Sequence, residues 1–333
     1  MQSARRKFLL LAAAGAGVCS FPWLAGRWRS SQQPTITRTS WALGTDLCLT
    51  VTGLSKSQAS RALDAAFAEI ELVEQTMSIY RPESQLSRLN RDRVLERPHP
   101  HLLTVLATAE QTARETGGAF DISVQPLWNL YAAAKRAGNT PTPAEIAAAQ
   151  HQVDWRKIEL SRNFIRLHEP VEAITLNGIA QGFALDRAVA VLKDHGATSA
   201  LLNTGEISSL GMKNLDDPWT VGIQHPRESD VFIAVADLDG RALATSGDYQ
   251  TTFSADFAKN HIFDPRTGES PTELASASIV APTGLQADAL STAAMVLGRE
   301  RTLAYLARLP NVDALLVDKN GNVSRTPGFP AAV

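Results

Sequence analysis

Paired strand patterns in the second half of the chain limit its fold more than any other feature. The segments "KIELSRNFIRL" and "WTVGIQ" followed by "VFIAVADLDG" are typical of hairpins, because apolar and β-branched runs flank short turns. "VDALLVDKNGNVSR" turns at Asn320-Gly321, a dipeptide suited to a two-residue hairpin loop. Strands joined in this way are antiparallel, which argues against a regular series of βαβ units.

A long amphipathic helix is predicted within "SKSQASRALDAAFAEIELVEQ". Ser55 and Gln58 have the spacing of a capping box, in which each side chain accepts a backbone N–H of the other residue. The helix then has one apolar face, formed by Ala59, Leu63, Ala66, Phe67, Ile70 and Val73. Such a stripe packs against a core while the opposite face meets water.

Further helices follow from their start and stop signals. One runs from about His101 to Thr116 and ends at Gly117-Gly118. Another begins at Thr142-Pro143, with Glu145 three residues after the cap. Three more cover about residues 181–195, 284–297 and 299–308. Helices mixed with hairpins predict an α+β fold, with mixed or antiparallel sheets and packed helices.

The first 33 residues have the composition of an export signal. They contain basic residues and no acid, and an uncharged stretch rich in Ala, Gly and Leu runs from Phe8 to Gly26. A basic region followed by an apolar one is typical of a secretory leader, and Arg5-Arg6 followed by "KFLL" resembles a twin-arginine signal. The sequence therefore predicts export to the periplasm, with a leader and spacer over residues 1–33 and one catalytic domain over residues 34–333.

Two alternatives to a cleaved signal remain open. The uncharged stretch is nearly long enough to span a bilayer as an uncleaved anchor, although Pro22 and several small residues weaken this interpretation. Cys19 suggests lipidation, but Val18 precedes it where a small residue is usual. After residue 33 the sequence has one cysteine, Cys48, so the mature chain has no internal disulfide.

The charge of the chain argues against nucleic acid as a partner. Removing residues 1–33 lowers the formal net charge from −2 to −7 at pH 7. A nucleic-acid-binding surface needs clustered basic side chains that neutralise phosphates. The chemistry of this chain is therefore sought in individual motifs.

Asp288 and Thr292 form the first candidate site. They are four residues apart in the predicted helix of "QADALSTAAMVLG", so a carboxylate and a hydroxyl point to the same side. Oxygen donors of this kind suit a hard cation such as Mg²⁺. The alternative is a solvated acid in the first turn and a threonine at the surface, and spacing alone favours that alternative.

Three loop motifs are further candidates. "HIFDPRTGESP" places His261 near Asp264, where the imidazole is either a general base or a structural hydrogen-bonding group. In "MSIYRPESQLSRLN", Tyr80 either stacks on a flat ring or lies at a rim. "TGGAFDISVQPLW" reads as a helix cap followed by a strand or loop.

The segment "ITLNGIAQGFALDRA", residues 174–188, has Gly178 and Gly182 where a β-like run gives way to a helix. Such a turn either leaves backbone N–H groups free to bind a phosphate or serves close packing. Its glycines do not have the spacing of a dinucleotide-binding fingerprint. The chain also lacks a G-x-S-x-G elbow, a Walker loop, a C-x-x-C pair and an H-E-x-x-H motif.

Taken in order, seven segments from about Trp41 to Gly298 resemble the ApbE family, the FAD:protein FMN transferases. They are "MSIYRPESQLSRLN", "TGGAFDISVQPL", "LNGIAQGFALDRAVAVL", "VGIQHPR", "ATSGDY", "HIFDPRTG" and "SIVAPTGLQADALSTAAMVLG". The resemblance implies an ApbE-like α+β fold and an enzyme that cleaves FAD with Mg²⁺. Such an enzyme transfers FMN to a Thr or Ser hydroxyl of an acceptor protein and releases AMP.

The resemblance also implies roles for individual residues. Asp288, Thr292 and the main-chain carbonyl of Gly178 match the metal ligands of the family, and His261 matches the position taken here as the base. The matching FAD contacts are Leu43, Tyr80, Ala119, Phe120, Asp121, Thr175, Gln181 and Phe263. The "ATSGDY" segment, with Ser246 and Tyr249, resembles a further wall of the FAD pocket.

Three departures from the family pattern are visible. Thr175 stands where the family usually has Asp, Gln181 where it often has Lys, and "NTGEI" where it has "NxGGD". A hydroxyl accepts hydrogen bonds more weakly than a carboxylate, so we expect weaker nucleotide binding or slower turnover.

The resemblance to exported members implies a particular acceptor, a membrane-anchored electron-transfer flavoprotein. Two alternative functions use the same pocket. One is a flavin-binding or flavin-delivery protein with weak transfer, and the other is an FAD pyrophosphatase that releases FMN and AMP into water.

Overall fold

A computed structural model describes residues 34–214, 217–228 and 230–332. The predicted export signal, residues 1–33, lies outside these ranges. The labelled helices are α1 Lys56–Met77, α2 Gln85–Asp92, α3 Pro100–Glu115, α4 Gln125–Arg136, α5 Pro143–Gln150, α6 Ala180–Asp194 and α7 Gly284–Leu306. The strands are β1 Thr35–Ala42, β2 Thr45–Thr52, β3 Val94–Glu96, β4 Ile158–Leu160, β5 Phe164–Leu167, β6 Ser199–Asn203, β7 Ile207–Leu210, β8 Trp219–Gln224, β9 Phe232–Leu238, β10 Ala242–Gly247, β11 Leu274–Ala281, β12 Asp313–Asp318 and β13 Val323–Arg325.

The main sheet has the strand order β1-β2-β6-β7-β10-β11-β12-β13, and each neighbouring pair is antiparallel. Strands β3, β5 and β4 form a small second sheet, and β8 pairs with β9. The predicted α+β class with antiparallel sheets is confirmed. The three hairpins expected from the sequence are β4–β5, β8–β9 and β12–β13.

The central strands of the main sheet are buried on both faces, because their side chains alternate between two cores. Along β11, Ala277 and Ile279 belong to the larger core, which includes apolar residues of α1, α6 and α7. Val280, on the opposite face, packs in a smaller core with Trp219 and Leu238 of the β8–β9 hairpin. Among the described residues, no helix combines the length and apolar character needed to cross a membrane.

The predicted helix caps are confirmed. Ser55 and Gln58 form a capping box at the start of α1, and Thr142 and Glu145 form one at the start of α5. Helix α3 ends at Thr116, directly before the two glycines. These signals predict helix ends well because they act through backbone groups within one turn.

The local predictions for three segments have different outcomes. In "TGGAFDISVQPLW" the cap and the loop alternative are confirmed, and a short 3₁₀ turn and α4 follow the loop. The predicted separate helices on either side of Gly298 are confirmed, because Gly298 is non-helical and marks a kink within the element labelled α7. The β-like run predicted before Gly178 is wrong: the segment is irregular, because the amide side chain of Asn90 bonds both backbone groups of Ile174, in place of a neighbouring strand.

Helices α6 and α7 cross at Gly182 and Gly284. A Cβ atom added at Gly182 would lie 2.0 Å from the Gly284 carbonyl oxygen and 2.7 Å from the Asp288 Cβ, and one added at Gly284 would lie 2.5 Å from the Gly182 oxygen. No side chain fits between backbones at this separation. Both positions therefore require glycine for packing.

Gly182→Ala is expected to lower the free energy of unfolding by about 3 kcal/mol, the upper part of the range for overpacked sites, because the backbone of α7 must move. Gly196→Ala is the matched control at the other end of α6. It meets no neighbouring atom within 4 Å and is expected to cost only the left-handed strain of about 1–2 kcal/mol. Urea unfolding measures both values, and equal losses would contradict the crossing as described.

Candidate functional site

The α6–α7 crossing buries the carboxylate of Asp288. Its Oδ2 accepts a hydrogen bond from the Gly182 N–H at 2.9 Å, and the residue is 3% exposed. Burial raises the pKa of Asp288 to about 7; the negative charge of Asp186 also raises it, while the Gly182 hydrogen bond opposes the shift. The alternative of a solvated first-turn acid is wrong.

Thr292 lies one turn further along α7, close to Gly178. A Cβ atom added at Gly178 would lie 2.7 Å from the Thr292 Oγ1, so only glycine allows this approach. The Ser246 Oγ lies 3.2 Å from the Thr292 Oγ1 and 2.8 Å from the Ser291 Oγ. Ser291 in turn donates to the carbonyl of Asp288 at 2.9 Å, so the hydroxyl groups are held in one network.

The donors at this crossing fit a hard cation. They comprise one carboxylate, one hydroxyl and the backbone beside Gly178, whose carbonyl is a further oxygen donor. Mg²⁺ binds through one or two carboxylates and keeps sites for water and phosphate oxygens. In the part of the chain that the structure describes, no group of three or more His, Cys, Asp and Glu side chains could hold a metal, so a cation here depends on hydroxyl and carbonyl oxygens as well.

Asp186 serves the same crossing in another way. Its carboxylate accepts the N–H groups of Gly284 at 2.6 Å and Leu285 at 2.9 Å, and so caps the N-terminus of α7. Burial raises the pKa of Asp186, and the two backbone hydrogen bonds oppose that shift. The acid at the end of the glycine-containing segment thus fixes α7 relative to α6.

Glu206 is a buried carboxylate that the sequence analysis did not select. It lies in the turn between β6 and β7, is 7% exposed, and accepts the N–H of Thr245 at 3.2 Å. Burial, and then the charge of Asp288, raise the pKa of Glu206 well above its ordinary value. The sequence shows Glu206 only as an acid between two predicted strands. Its neighbour on α7, Asp288, is more than 80 positions away in the chain.

Leu43 and Gln181, two of the predicted FAD contacts, contact each other beside the first turn of α6. Leu43 occupies the β1–β2 turn at φ 53°, a left-handed conformation that is uncommon outside glycine. Its N–H donates to the Glu74 Oε1 at 3.0 Å, and its carbonyl accepts the Gln181 amide at 3.3 Å. Glu74 also forms an ion pair with Arg81. The exposed Tyr80 directly precedes Arg81 and therefore lies on the same side of the molecule.

The predicted FAD contacts Ala119, Phe120, Asp121 and Thr175 form a second group, in which Thr175 contacts Ile122. The Thr175 N–H donates to the Ile122 carbonyl at 2.8 Å. Asp121 accepts the N–H and hydroxyl of Ser123 at 2.8 and 2.6 Å and the Trp155 N–H at 3.3 Å. Ala119 and Phe120 are each 3% exposed, so the groups they can offer a ligand are mainly backbone groups.

Ser246 and Tyr249, the predicted FAD contacts of the "ATSGDY" segment, form a third group next to Thr292. The Tyr249 ring packs over Gly247, where an added Cβ would lie 2.3 Å from it. Asp248, which follows Gly247, is fully buried. Its carboxylate accepts hydrogen bonds from both terminal nitrogens of Arg227 at 2.7 and 2.9 Å, and the Lys319 Nζ lies 3.4 Å from its Oδ2. A charge buried with two cationic partners holds this segment in place.

His261 and Phe263 lie in the loop that follows. The Nδ1 of His261 lies 3.2 Å from the Thr251 carbonyl oxygen, and the His261 N–H donates to that oxygen at 3.0 Å. When Nδ1 carries the proton, the lone pair of the imidazole is on Nε2. The Phe263 ring is 3% exposed and packs against Tyr131 and Phe253, so its first role is to support the loop.

Comparisons with known proteins agree with this architecture. Residues 43–316 match the family model described as the ApbE family. The FAD:protein FMN transferase of Treponema pallidum is 32% identical over 298 residues, covering 80% of each chain, and that of Salmonella typhimurium is 28% identical, covering 85% of this chain and 84% of the relative. The crystal structure of the Pseudomonas stutzeri flavinyl transferase ApbE superposes with a TM-score of 0.78 at 27% identity, covering 91% of this chain and 99% of that one.

Asp121 provides a test of this geometry through pH. Burial raises its pKa to about 6 from 3.8, so the folded state holds a proton that the unfolded state has released. Its contribution to stability is fully present below about pH 4 and is lost as the pH rises through 6. Wild type should therefore lose about 2 kcal/mol of stability relative to Asp121→Asn between pH 4 and 7. Urea unfolding of both proteins measures this difference, and parallel curves would contradict it.

Proposed function

The chain belongs to the ApbE family, and from this we propose that it is an FAD:protein FMN transferase. The enzyme breaks the pyrophosphate bond of FAD and joins the FMN phosphorus to a Thr or Ser oxygen of an acceptor protein. The acceptor hydroxyl loses its proton and AMP leaves. The observation that carries the proposal is the convergence of Gly178, Asp288 and Thr292 at one helix crossing, in a chain matched to the family over residues 43–316.

Mg²⁺ is the metal that we propose for this crossing. The Asp288 carboxylate, the Thr292 hydroxyl and the Gly178 carbonyl would hold it, and when bound it would neutralise charge on the pyrophosphate and on the departing AMP. Ser246 orients the Thr292 hydroxyl, because its own hydroxyl lies 3.2 Å away. The Gly182 N–H fixes the rotamer of Asp288.

We propose that His261 is the base that removes the acceptor proton. The Thr251 carbonyl beside its Nδ1 favours the tautomer in which Nε2 accepts a proton. Leu43, Tyr80, Gln181 and the segments around Asp121 and Tyr249 then surround the FAD. The Gln181 amide donates to the Leu43 carbonyl, so it stabilises the pocket wall without the charge of a lysine.

The setting and the acceptor are also proposals. The basic, then apolar composition of residues 1–33 supports export to the periplasm. The net negative charge of the remaining chain argues against nucleic acid as a partner. A membrane-anchored flavoprotein that carries electrons is the acceptor we propose, because an exported transferase meets its acceptor on the outer side of the membrane.

The decisive assay incubates the mature protein with FAD and Mg²⁺, with and without a protein domain that carries an acceptor Thr. We expect flavin fluorescence bound covalently to the acceptor, together with one AMP for each FMN transferred. AMP and free FMN in the absence of acceptor would identify a pyrophosphatase instead. Tight FAD binding without AMP would identify a flavin-binding protein and overturn both enzymatic assignments.

Asp288→Asn tests the proposed metal ligand. The amide keeps the size of the side chain and still accepts the Gly182 N–H, so the fold should persist, whereas Mg²⁺-dependent AMP release should fall by about 100-fold or more. Asp186→Asn is the matched control, a buried acid at the same crossing that caps α7. It should reduce stability by about 1 kcal/mol and retain turnover. Undiminished turnover in Asp288→Asn would show that the ligand assignment is wrong.

A further inference from the structure

Glu206 and Asp288 bring two carboxylates into one buried region without a cationic side chain. Both residues are more than 90% buried, and both lie beside the first turn of α6: Asp288 accepts the Gly182 N–H, and Thr204, in the turn that carries Glu206, contacts the Gln181 carbonyl. Within the described ranges, neither residue forms an ion pair with Lys, Arg or His. By contrast, the buried Asp248 has both Arg227 and Lys319 as partners. Two buried carboxylates without a cationic partner either hold protons or bind a cation from outside the chain.

The position of Glu206 is fixed by groups that also define the proposed metal site. Its Oε2 accepts the N–H of Thr245, the residue directly before Ser246. The turn that carries it packs on the first turn of α6, because the Thr204 hydroxyl donates to the Gln181 carbonyl at 3.4 Å. Gly205, at φ 98°, brings its backbone against the Gln181 amide. Glu206 is therefore held by the same strand end and helix end as Thr292 and Asp288.

We propose that Glu206 is a positioning residue that supplies a second negative charge to the divalent-cation site formed by Asp288, Thr292 and the Gly178 carbonyl. This inference rests on the proposed function for the identity of that site. Glu206 attracts the cation electrostatically without being one of its ligands, because charges in a buried region interact over several ångströms. Asp288, the one carboxylate among the proposed ligands, thus gains the charge of Glu206, whereas the nearby Asp186 caps α7 through two backbone N–H groups.

Glu206→Gln removes the negative charge of the side chain but keeps its size and shape. The glutamine side chain has the same shape and still accepts the Thr245 N–H, so a purely structural role predicts unchanged cation affinity. We expect the Kd for Mn²⁺, measured by electron paramagnetic resonance with the metal alone, to rise about tenfold or more. In the transfer assay, the Mg²⁺ concentration for half-maximal rate should rise similarly, and saturating Mg²⁺ should restore most of the rate.

Two further variants complete the test. Glu206→Asp retains the charge and should bind Mn²⁺ more tightly than Glu206→Gln. Thr245→Val disturbs the same strand end, where the Thr245 hydroxyl pairs with Ser278 at 2.8 Å, but changes no charge and should leave the Kd unaltered. A Kd for Glu206→Gln within twofold of wild type, or an equal loss in Thr245→Val, overturns the proposal.

The metal titration tests the role of Glu206, and the transfer assay tests the proposed function, so one proposal can be wrong while the other stands. If wild type transfers FMN but Glu206→Gln binds Mn²⁺ normally, the role of Glu206 is wrong and the proposed function stands. If wild type releases no AMP, the proposed function is wrong, while the Mn²⁺ titration still decides whether Glu206 contributes to the cation site.

Discussion

The crossing of α6 and α7 is the constraint on which the candidate site depends. At Gly182 and Gly284 the two helix backbones lie too close for any side chain between them. The same approach brings the Gly182 N–H to Asp288 and the Asp186 carboxylate to the N-terminus of α7. It also places Gly178, just before α6, against Thr292. The backbone atoms that pack the two helices together therefore also bind the side chains of Asp288 and Asp186. A substitution at either glycine disturbs both the packing and these hydrogen bonds.

Much of the fold was predictable from local patterns. The capping boxes of α1 and α5 and the Asn320-Gly321 turn act over two to four residues, so the sequence contains their full cause. The irregular segment before Gly178 was not predictable, because it is stabilised by Asn90, a residue more than 80 positions away. The break at Gly298, by contrast, was predictable, because a glycine in a left-handed conformation ends a helix locally.

The site was predictable only in part, for the same reason. Spacing places Asp288 and Thr292 on one side of a helix, but whether that side is solvated or buried is decided by α6, and the burial was not foreseen. Glu206 was not among the sequence-based candidates, because only the fold brings its turn against the first turn of α6. Family resemblance supplied the roles of Leu43 and Gln181, and the structure supplies the reason that they meet, a hydrogen bond between the Gln181 amide and a turn held in a left-handed conformation.

The contacts that assemble the site also determine when it can exist during folding. Gln181 and Leu43 are 138 positions apart, and Gly182 and Asp288 are 106 positions apart. Such pairings give the chain a high contact order, and each must overcome the entropy of closing a long loop before it contributes stability. A chain that lacks α7 has neither Asp288 nor Thr292, and one that lacks β1 lacks the strand leading into the Leu43 turn. The candidate site is therefore complete only when segments from both ends of the chain have folded together.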